Sequence, residues 1–224
     1  MVATADKFLG HGLYSVAEAA MYANASPQLI SRWVFDRSDR QAPLRREIDS
    51  KEKIVSFLDF IQCLSVRQAR NQQGVSLQKI RLAVDYLYDK HGIEYPFAQP
   101  HELFKFEDQV VYKHHKLGYL FVTGKEKEQS LMPIIQPHLK QLTFDLKTGL
   151  AKHYTIRKED GIEIVMRAES RFGEPTMPSG YTAHTLWDAV RIEGGYEQGA
   201  RACGVSVDEV RVAFQFYDSL LRGS

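Results

Sequence analysis

The sequence predicts an α+β protein: a helical N-terminal domain, a small antiparallel β element, and a C-terminal domain of three helices. Three observations predict this order. Apolar residues follow helical spacing from Leu13 to His91, short aromatic and β-branched runs separated by glycines come next, and helical spacing returns at Thr182. We place the three parts at residues 1–95, 101–170 and 171–224.

Four helices are predicted in the first part, at residues 16–23, 27–35, 50–68 and 77–90. The third carries an apolar stripe from Ile54 to Leu64 at i, i+3, i+4 spacing, and Asp49 with Glu52 predicts its capping box. The fourth begins after Ser76 and ends before Gly92, which suits a left-handed cap.

The β element is expected to begin beyond Pro96 and Pro100, which interrupt the helical pattern and predict a linker. The short runs predict strands at 103–106, 110–112, 119–122, 142–144, 154–156 and 162–165. Between the last two, Asp160-Gly161 predicts a tight hairpin turn.

The C-terminal pattern predicts helices at 182–192, 196–203 and 207–221. Ser206, with Glu209 at the third helical position, predicts a full capping box for the last of them. Cys63 and Cys203 lie in predicted helices without metal-ligand spacing, so we expect thiols in a reducing cytoplasm, and a single bridge between them stays open.

Composition and charge exclude several classes of protein. With 44% apolar and 25% charged residues among 224, the chain is expected to fold. It has no apolar run long enough for a membrane span and no secretory leader at its start, which predicts a cytoplasmic protein. The net charge of +1 divides into +2 for residues 1–100, +4 for 101–158 and −5 for 159–224. An anionic partner is therefore disfavoured only by the C-terminal third.

Two segments have the spacing of a helix-turn-helix motif. This motif needs a small residue where the helices cross, a residue that tolerates positive φ four positions later, and an apolar anchor six positions after that. Both ends of the chain satisfy the spacing, with Ala20, Asn24 and Ile30 in the first motif and Ala200, Gly204 and Val210 in the second. The N-terminal part is thus predicted to be a winged-type helix-turn-helix domain, and the C-terminal domain to contain a second, similar motif.

The second helix of the first motif has polar donors on its outward face. Ser26 and Pro27 suit its start, and the loop that follows is expected to form the wing. Hydrogen-bond donors there could contact phosphates or base edges, although a solvated face and a charged loop remain the alternative. The candidate DNA-binding residues are Gln28, Ser31, Arg32, Arg37, Arg40, Arg45 and Arg46.

The second motif differs in charge. Its last helix opens with Asp208 and Glu209, which suit the helix dipole but repel phosphates, so entry of this helix into DNA is not expected. Its apolar stripe exceeds what three short helices bury, so it is expected to pack on the β element or in a dimer. The stripe consists of Val207, Val210, Phe214, Tyr217 and Leu221.

Both ends of the chain resemble known families. Tyr14-Ser15-Val16-Ala17-Glu18-Ala19-Ala20, Ser26-Pro27 with Trp33, and Gly74-Val75-Ser76-Leu77-Gln78-Lys79-Ile80 resemble a MerR-like DNA-binding domain, with Ile30-Ser31-Arg32 where that family usually has Leu-Arg-Tyr. The run Phe172-Gly173-Glu174-Pro175-Thr176-Met177-Pro178-Ser179-Gly180-Tyr181 and the later Val207-Asp208-Glu209-Val210-Arg211 resemble a domain of unknown function common in antitoxins. The combination resembles VapB-type antitoxins that carry an N-terminal helix-turn-helix domain.

This resemblance implies a function. Such proteins pair with a PIN-like ribonuclease toxin and repress their own operon, so operator DNA, the toxin and a second copy of the chain are the expected partners. Because a PIN-like toxin carries clustered carboxylates, basic side chains near the join of the last two parts are candidate toxin contacts. They are Arg157, Arg167 and Arg171.

Enzyme functions receive little support from the sequence. His114-His115, His138 and His153 lack ligand partners at metal spacing, and neither cysteine has an evident histidine partner. We therefore expect no catalytic activity, cofactor or metal. The alternative function is a MerR-like ligand-responsive regulator, in which aromatic residues of the segment 101–175 line an effector pocket or, instead, form the core of the β element. They are Phe104, Phe106, Tyr112, Tyr119, Phe121, Phe144 and Tyr154.

Overall fold

A computed structural model of the chain describes residues 11–36, 41–48, 50–106, 109–114, 118–121, 132–134 and 140–223. These residues form an α+β structure with seven α-helices and three small antiparallel sheets, which agrees with the predicted fold class. None of the helices in the described ranges combines the length and apolarity that a membrane span requires.

The N-terminal helices begin where serine caps predict. Strand β1 (Leu13–Ser15) leads directly into α1 (Val16–Tyr22), and residues 23–26 connect α1 to α2 (Pro27–Val34). The Ser15 hydroxyl accepts the Glu18 N–H at 3.2 Å, and the Glu18 carboxylate accepts the Ser15 N–H at 2.8 Å. The Ser26 hydroxyl accepts the Leu29 N–H at 3.3 Å. Both predicted helices are confirmed to within one residue.

The predicted helix over 50–68 is wrong at its start. Residues Ile54–Ser56 form β2, which pairs antiparallel with β1, and helix α3 (Phe57–Gln73) begins only after it. The residue at 49 lies outside the described residues, and the capping box is made by Ser56 and Asp59. Apolar spacing continues from the strand into the helix, so periodicity alone could not locate the boundary.

Asp59 ties the preceding loop to α3 from a buried position. Its carboxylate oxygens accept the N–H groups of Ser56 and Glu47, each at 3.1 Å. Burial raises the pKa of Asp59 from 3.8 to about 6, against the opposing effect of these hydrogen bonds. One carboxylate therefore fixes both the helix start and the path of the loop before β2.

The first helical part ends as predicted. Helix α4 (Leu77–His91) is capped by Ser76 and terminated by Gly92, whose φ of 65° is left-handed. The expected linker contains a short 3₁₀ turn, Pro96–Ala98, with Phe97 only 2% exposed. This segment is therefore packed against the helical core.

The middle of the chain forms two separate sheets. One has the order β5-β4-β3-β6 and the other β7-β8-β9. All six predicted strands are present, several of them longer than expected, and the strand that contains Pro133 was not predicted. The strands are β3 (His101–Phe106), β4 (Gln109–His114), β5 (Gly118–Phe121), β6 (Met132–Ile134), β7 (Leu142–Phe144), β8 (Ala151–Glu159) and β9 (Ile162–Arg167).

The predicted hairpin turn between β8 and β9 is confirmed. Asp160 and Gly161 have φ values of 49° and 79°, and Glu159 pairs with Ile162. Positive φ at both central residues is the requirement of the tight hairpin turn that favours the Asp-Gly pair.

The C-terminal helices follow the prediction closely, at α5 (Ala183–Glu193), α6 (Tyr196–Cys203) and α7 (Val207–Arg222). Ser206 caps α7 by accepting the Glu209 N–H at 3.1 Å. The predicted full capping box is wrong, because the Glu209 carboxylate accepts the Ser179 N–H at 2.9 Å. Glu209 is 9% exposed and holds the loop before α5.

Two apolar cores share the β7-β8-β9 sheet. The first joins α1–α4 to Leu142, Ala151, Tyr154 and Met166, and the second joins α5–α7 to Ile164. Cys63 lies fully buried in the first core and Cys203 is half-buried beside the second, and both are free thiols. The disulfide alternative is thus excluded, and burial raises the pKa of Cys63 so that its thiol stays protonated.

Candidate functional site

The outward face of α2 carries the hydrogen-bond donors expected from the sequence. Gln28 and Arg32 are exposed and Ser31 is half-buried, whereas Ile30 and Trp33 are fully buried on the opposite face. Arg32 forms no ion pair within the described part of the chain. Its guanidinium can therefore meet an external acceptor without breaking an ion pair with any described residue.

The three spaced residues of each predicted helix-turn-helix motif lie where two helices pack closely. In the first, Ala20 is 2% and Ile30 is 0% exposed, and Asn24 has a φ of 46°. In the second, Ala200 is 3% and Val210 is 0% exposed, and the φ of Gly204 is 66°. Asn and Gly are the residues that adopt left-handed φ most readily, which explains why these two turns tolerate the conformation.

The predicted loop arginines make internal contacts. The Arg45 guanidinium lies 3.6 Å from the Tyr88 ring centre and 3.7 Å from the Asp85 carboxylate on α4. Arg46 donates from Nη2 to the carbonyls of Ile48 at 2.6 Å and of Ser50 at 3.0 Å. A phosphate contact would require either side chain to give up these partners. Arg37 and Arg40 lie outside the described residues.

Lys53 is a basic residue at this surface that the sequence interpretation missed. It is exposed, and its Nζ lies 6.0 Å from the ring centre of Phe35, the residue that ends α2. The incorrect helix over 50–68 assigned Lys53 to a helix, whereas it stands at the entry to β2. The pairing of β1 with β2 is what brings it to the end of α2.

Helix α7, which follows the turn of the second predicted motif as α2 follows that of the first, presents a different surface. The Asp208 side chain is 71% exposed and pairs with Arg211 at 2.9 Å. Glu209, expected to face a phosphate as well, points to the Ser179 backbone and is buried. One exposed carboxylate therefore remains in the first turn, in a part of the chain with net charge −5.

The apolar stripe of α7 is divided between core and surface. Val210 is fully buried, Val207, Phe214 and Tyr217 are half-buried, and Leu221 is 45% exposed. The half-buried rings join an aromatic cluster with α5, in which the Trp187 ring centre lies 5.3 Å from that of Tyr217 and 6.5 Å from that of Phe214. The stripe therefore contributes to the core, and its last residues stay accessible.

The three candidate toxin-binding arginines lie in two places. Arg157 is paired with Glu159 at 2.7 Å and reaches Ser219 of α7 at 3.5 Å. Arg167 and Arg171 line one polar cavity of 540 Å³ together with Glu163. Neither of these two forms an ion pair in the described ranges, and Glu163 is itself paired with Lys158 at 2.7 Å.

The turn that carries Arg171 is strained. Arg171, Phe172 and Gly173 have successive φ values of 49°, 53° and 87°, a region that non-glycine residues seldom occupy. Phe172 is 67% exposed. Backbone strain of this kind is held by surrounding structure and is frequent at functional sites. The exposed Phe172, next in sequence to Arg171, and the cavity lined by Arg167 and Arg171 therefore form a second candidate binding surface.

The other candidate histidine and aromatic residues, where the structure describes them, contribute to packing or to ion pairs. Tyr154 is 7% exposed in the first core, Phe144 packs partly against that core, and His153 pairs with Glu169 at 3.0 Å. No three His, Cys, Asp or Glu side chains converge on a metal-sized site in the described ranges. His115 and His138 lie outside those ranges, as do the side chains of His114 and of the other five aromatic residues expected in an effector pocket.

Comparisons with known proteins indicate the fold alone. No family model and no curated protein matches the chain. The crystal structure of Rv2018 from Mycobacterium tuberculosis is similar, with a TM-score of 0.58 and 18% sequence identity, over 89% of this chain and 96% of that one. The arrangement of helices and small sheets described above therefore has a counterpart of nearly the same extent in a solved structure.

Proposed function

We propose that this protein is a cytoplasmic, homodimeric, DNA-binding antitoxin that represses its own operon and neutralises a PIN-like ribonuclease. The observation that carries the proposal is the contrast between α2 and α7. Both helices follow a left-handed turn, but α2 presents donors that have no partner among the described residues, and α7 opens with an exposed carboxylate. A polyanion favours the first surface over the second.

In this proposal α1 and α2 form a helix-turn-helix motif with α2 in the major groove. Gln28, Ser31 and Arg32 lie near base edges, and Arg37, Arg40 and Lys53 lie near phosphates. Arg45 and Arg46 support the wing loop through the contacts described above. A homodimer requires two half-sites, so the operator is expected to be an inverted repeat with centres about one helical turn apart.

The exposed ends of the α5 and α7 aromatic cluster support a dimer interface in the C-terminal domain. Half-buried Trp187 and Tyr217 supply aromatic area of the kind that interfaces use. The polar cavity lined by Arg167 and Arg171 supports a separate site for the ribonuclease, because neither arginine forms an ion pair among the described residues and both complement clustered carboxylates.

Replacing Arg32 with alanine is expected to lower operator affinity by about 1–3 kcal/mol if the guanidinium contacts a base. The reason is that a bidentate hydrogen bond to a base edge is lost while the helix itself is unaffected. Gel-shift titration of the promoter fragment upstream of the gene measures the effect.

The matched control for this experiment is Arg211→Ala on α7, which removes an exposed arginine from the corresponding helix. Its operator affinity is expected to stay within a factor of about two of the wild type, because that helix is not expected to meet DNA. Equal losses in both variants would contradict the assignment of α2 as the recognition helix.

Ribonuclease binding is expected to depend on Arg171 and Phe172. Changing Arg171 to glutamate, or Phe172 to alanine, is expected to weaken the complex at least tenfold, since exposed aromatic and arginine side chains are the usual energetic centres of interfaces. Co-expression with the product of the adjacent reading frame, followed by calorimetry on the purified pair, measures this.

Arg201→Glu, a change of the same charge at an exposed position on α6, serves as the control and is expected to bind normally. Failure of the wild-type chain to co-purify with the neighbouring product would count against the antitoxin assignment itself.

A further inference from the structure

An apolar cavity of 740 Å³ separates the N-terminal helices from the end of α7. Its walls come from α1, from the start of α2, from α3 and from the last turn of α7. Met21, Leu29 and Leu221 are among its apolar lining residues, and Leu221 is 45% exposed. The volume lies within the range of small-molecule sites, which are typically apolar with a few polar groups.

One side chain of this wall carries a charge that no described residue pairs with. Arg67 on α3 is half-buried and, among the described residues, has neither an ion pair nor a hydrogen bond. Asn71, one turn further along α3, lines the cavity beside it. A guanidinium in apolar surroundings gains most from a carboxylate, which it can hold through two parallel hydrogen bonds.

The acidic group of the wall is already engaged. The Glu18 carboxylate accepts the Ser15 N–H at 2.8 Å as part of the α1 capping box, and it forms no ion pair with Arg67. The wall therefore offers a large apolar surface with one available cation, and no described carboxylate neutralises that cation.

We propose that this cavity binds a small amphipathic carboxylate. Its apolar chain packs against Met21, Leu29 and Leu221, and its carboxylate pairs with Arg67. Such a ligand touches both the flank of α2 and the last turn of α7, and so bridges the two helical parts of the molecule. The proposal concerns binding alone and does not depend on the DNA-binding or antitoxin function.

Calorimetric titration of the full chain with decanoate tests the proposal, with 1,2-decanediol as the neutral ligand of the same chain length. Saturable binding of decanoate is expected, at least tenfold tighter than that of the diol. Arg67→Gln is expected to weaken decanoate binding by roughly 10-fold to 100-fold, because a charge-assisted hydrogen bond is lost. Arg201→Gln, at an exposed position outside the cavity, is expected to bind as the wild type does.

Two further variants locate the site. Leu221→Asp places a carboxylate on a partly exposed wall position and is expected to repel decanoate even if Arg67→Gln does not fold. The chain has two tryptophans, so Trp187→Phe leaves Trp33, a lining residue, as the single fluorophore. Its emission is expected to change in parallel with the heat of binding.

Three outcomes would overturn the proposal: no saturable binding of decanoate, equal affinity for the diol, or unchanged affinity in both Arg67→Gln and Leu221→Asp. Constant Trp33 emission while decanoate binds would show that the ligand binds outside this cavity, and would also overturn the proposal. Because no nucleic acid or ribonuclease is present in the titration, failure here leaves the proposed function standing, and failure of operator binding leaves this site standing.

Discussion

Replacing Gly173 with alanine is expected to reduce the free energy of unfolding by about 2–5 kcal/mol. A β-carbon at this position would overlap the phenol oxygen of Tyr14, which donates to the Gly173 carbonyl at 2.8 Å. Tyr14 is 2% exposed and its ring contacts the rings of Tyr22 and Phe60, which restrict its movement. The cost combines overpacking of about 1–3 kcal/mol with a left-handed φ that costs an L-residue about 1–2 kcal/mol.

Gly180→Ala separates these two causes. The φ of Gly180 is 88°, nearly that of Gly173, but its β-carbon would meet no atom within 4 Å. The free energy of unfolding of this variant is expected to fall only by the cost of the left-handed φ, about 1–2 kcal/mol. Urea unfolding followed by circular dichroism measures both variants, and equal losses would contradict the close packing of Tyr14 on the 171–173 turn.

The stability of the protein is expected to depend on pH through Asp59. Its pKa of about 6 in the folded state exceeds the ordinary value of 3.8 because the carboxyl group is buried. The folded state therefore holds a proton that the unfolded state releases, so the stabilisation is fully present below about pH 3.8 and is lost as the pH rises through about 6. At about 1.4 kcal/mol per pKa unit, the loss between pH 4.5 and 7.5 amounts to about 2 kcal/mol.

Comparison with Asp59→Asn isolates this contribution, because asparagine does not titrate. Between pH 4.5 and 7.5 the free energy of unfolding of the wild type is expected to fall by about 2 kcal/mol relative to that of the variant, as measured by urea unfolding at each pH. Parallel profiles for the wild type and Asp59→Asn would contradict the raised pKa.

The candidate surfaces show which site residues could be predicted from sequence patterns. The donors of α2 were predictable, because helical spacing and a serine cap determine which face of a short helix points outward. Lys53 was missed because its location depends on the pairing of β1 with β2, strands more than thirty residues apart. Arg45 and Arg46 were predicted to contact phosphates, and only the tertiary structure shows their contacts with α4 and with the loop backbone.

The sequence by itself determined the α+β class, most helix boundaries, the two left-handed turns and the Asp160-Gly161 hairpin. These features depend on periodicity, caps and residues that tolerate positive φ, all of which act within a few positions along the chain. Tertiary structure alone decided that Glu209 turns inward, that Arg67 lacks an ion-pair partner among the described residues, and that Tyr14 fits against Gly173. Those outcomes depend on packing between segments as much as 159 residues apart, whose relative positions no local pattern encodes.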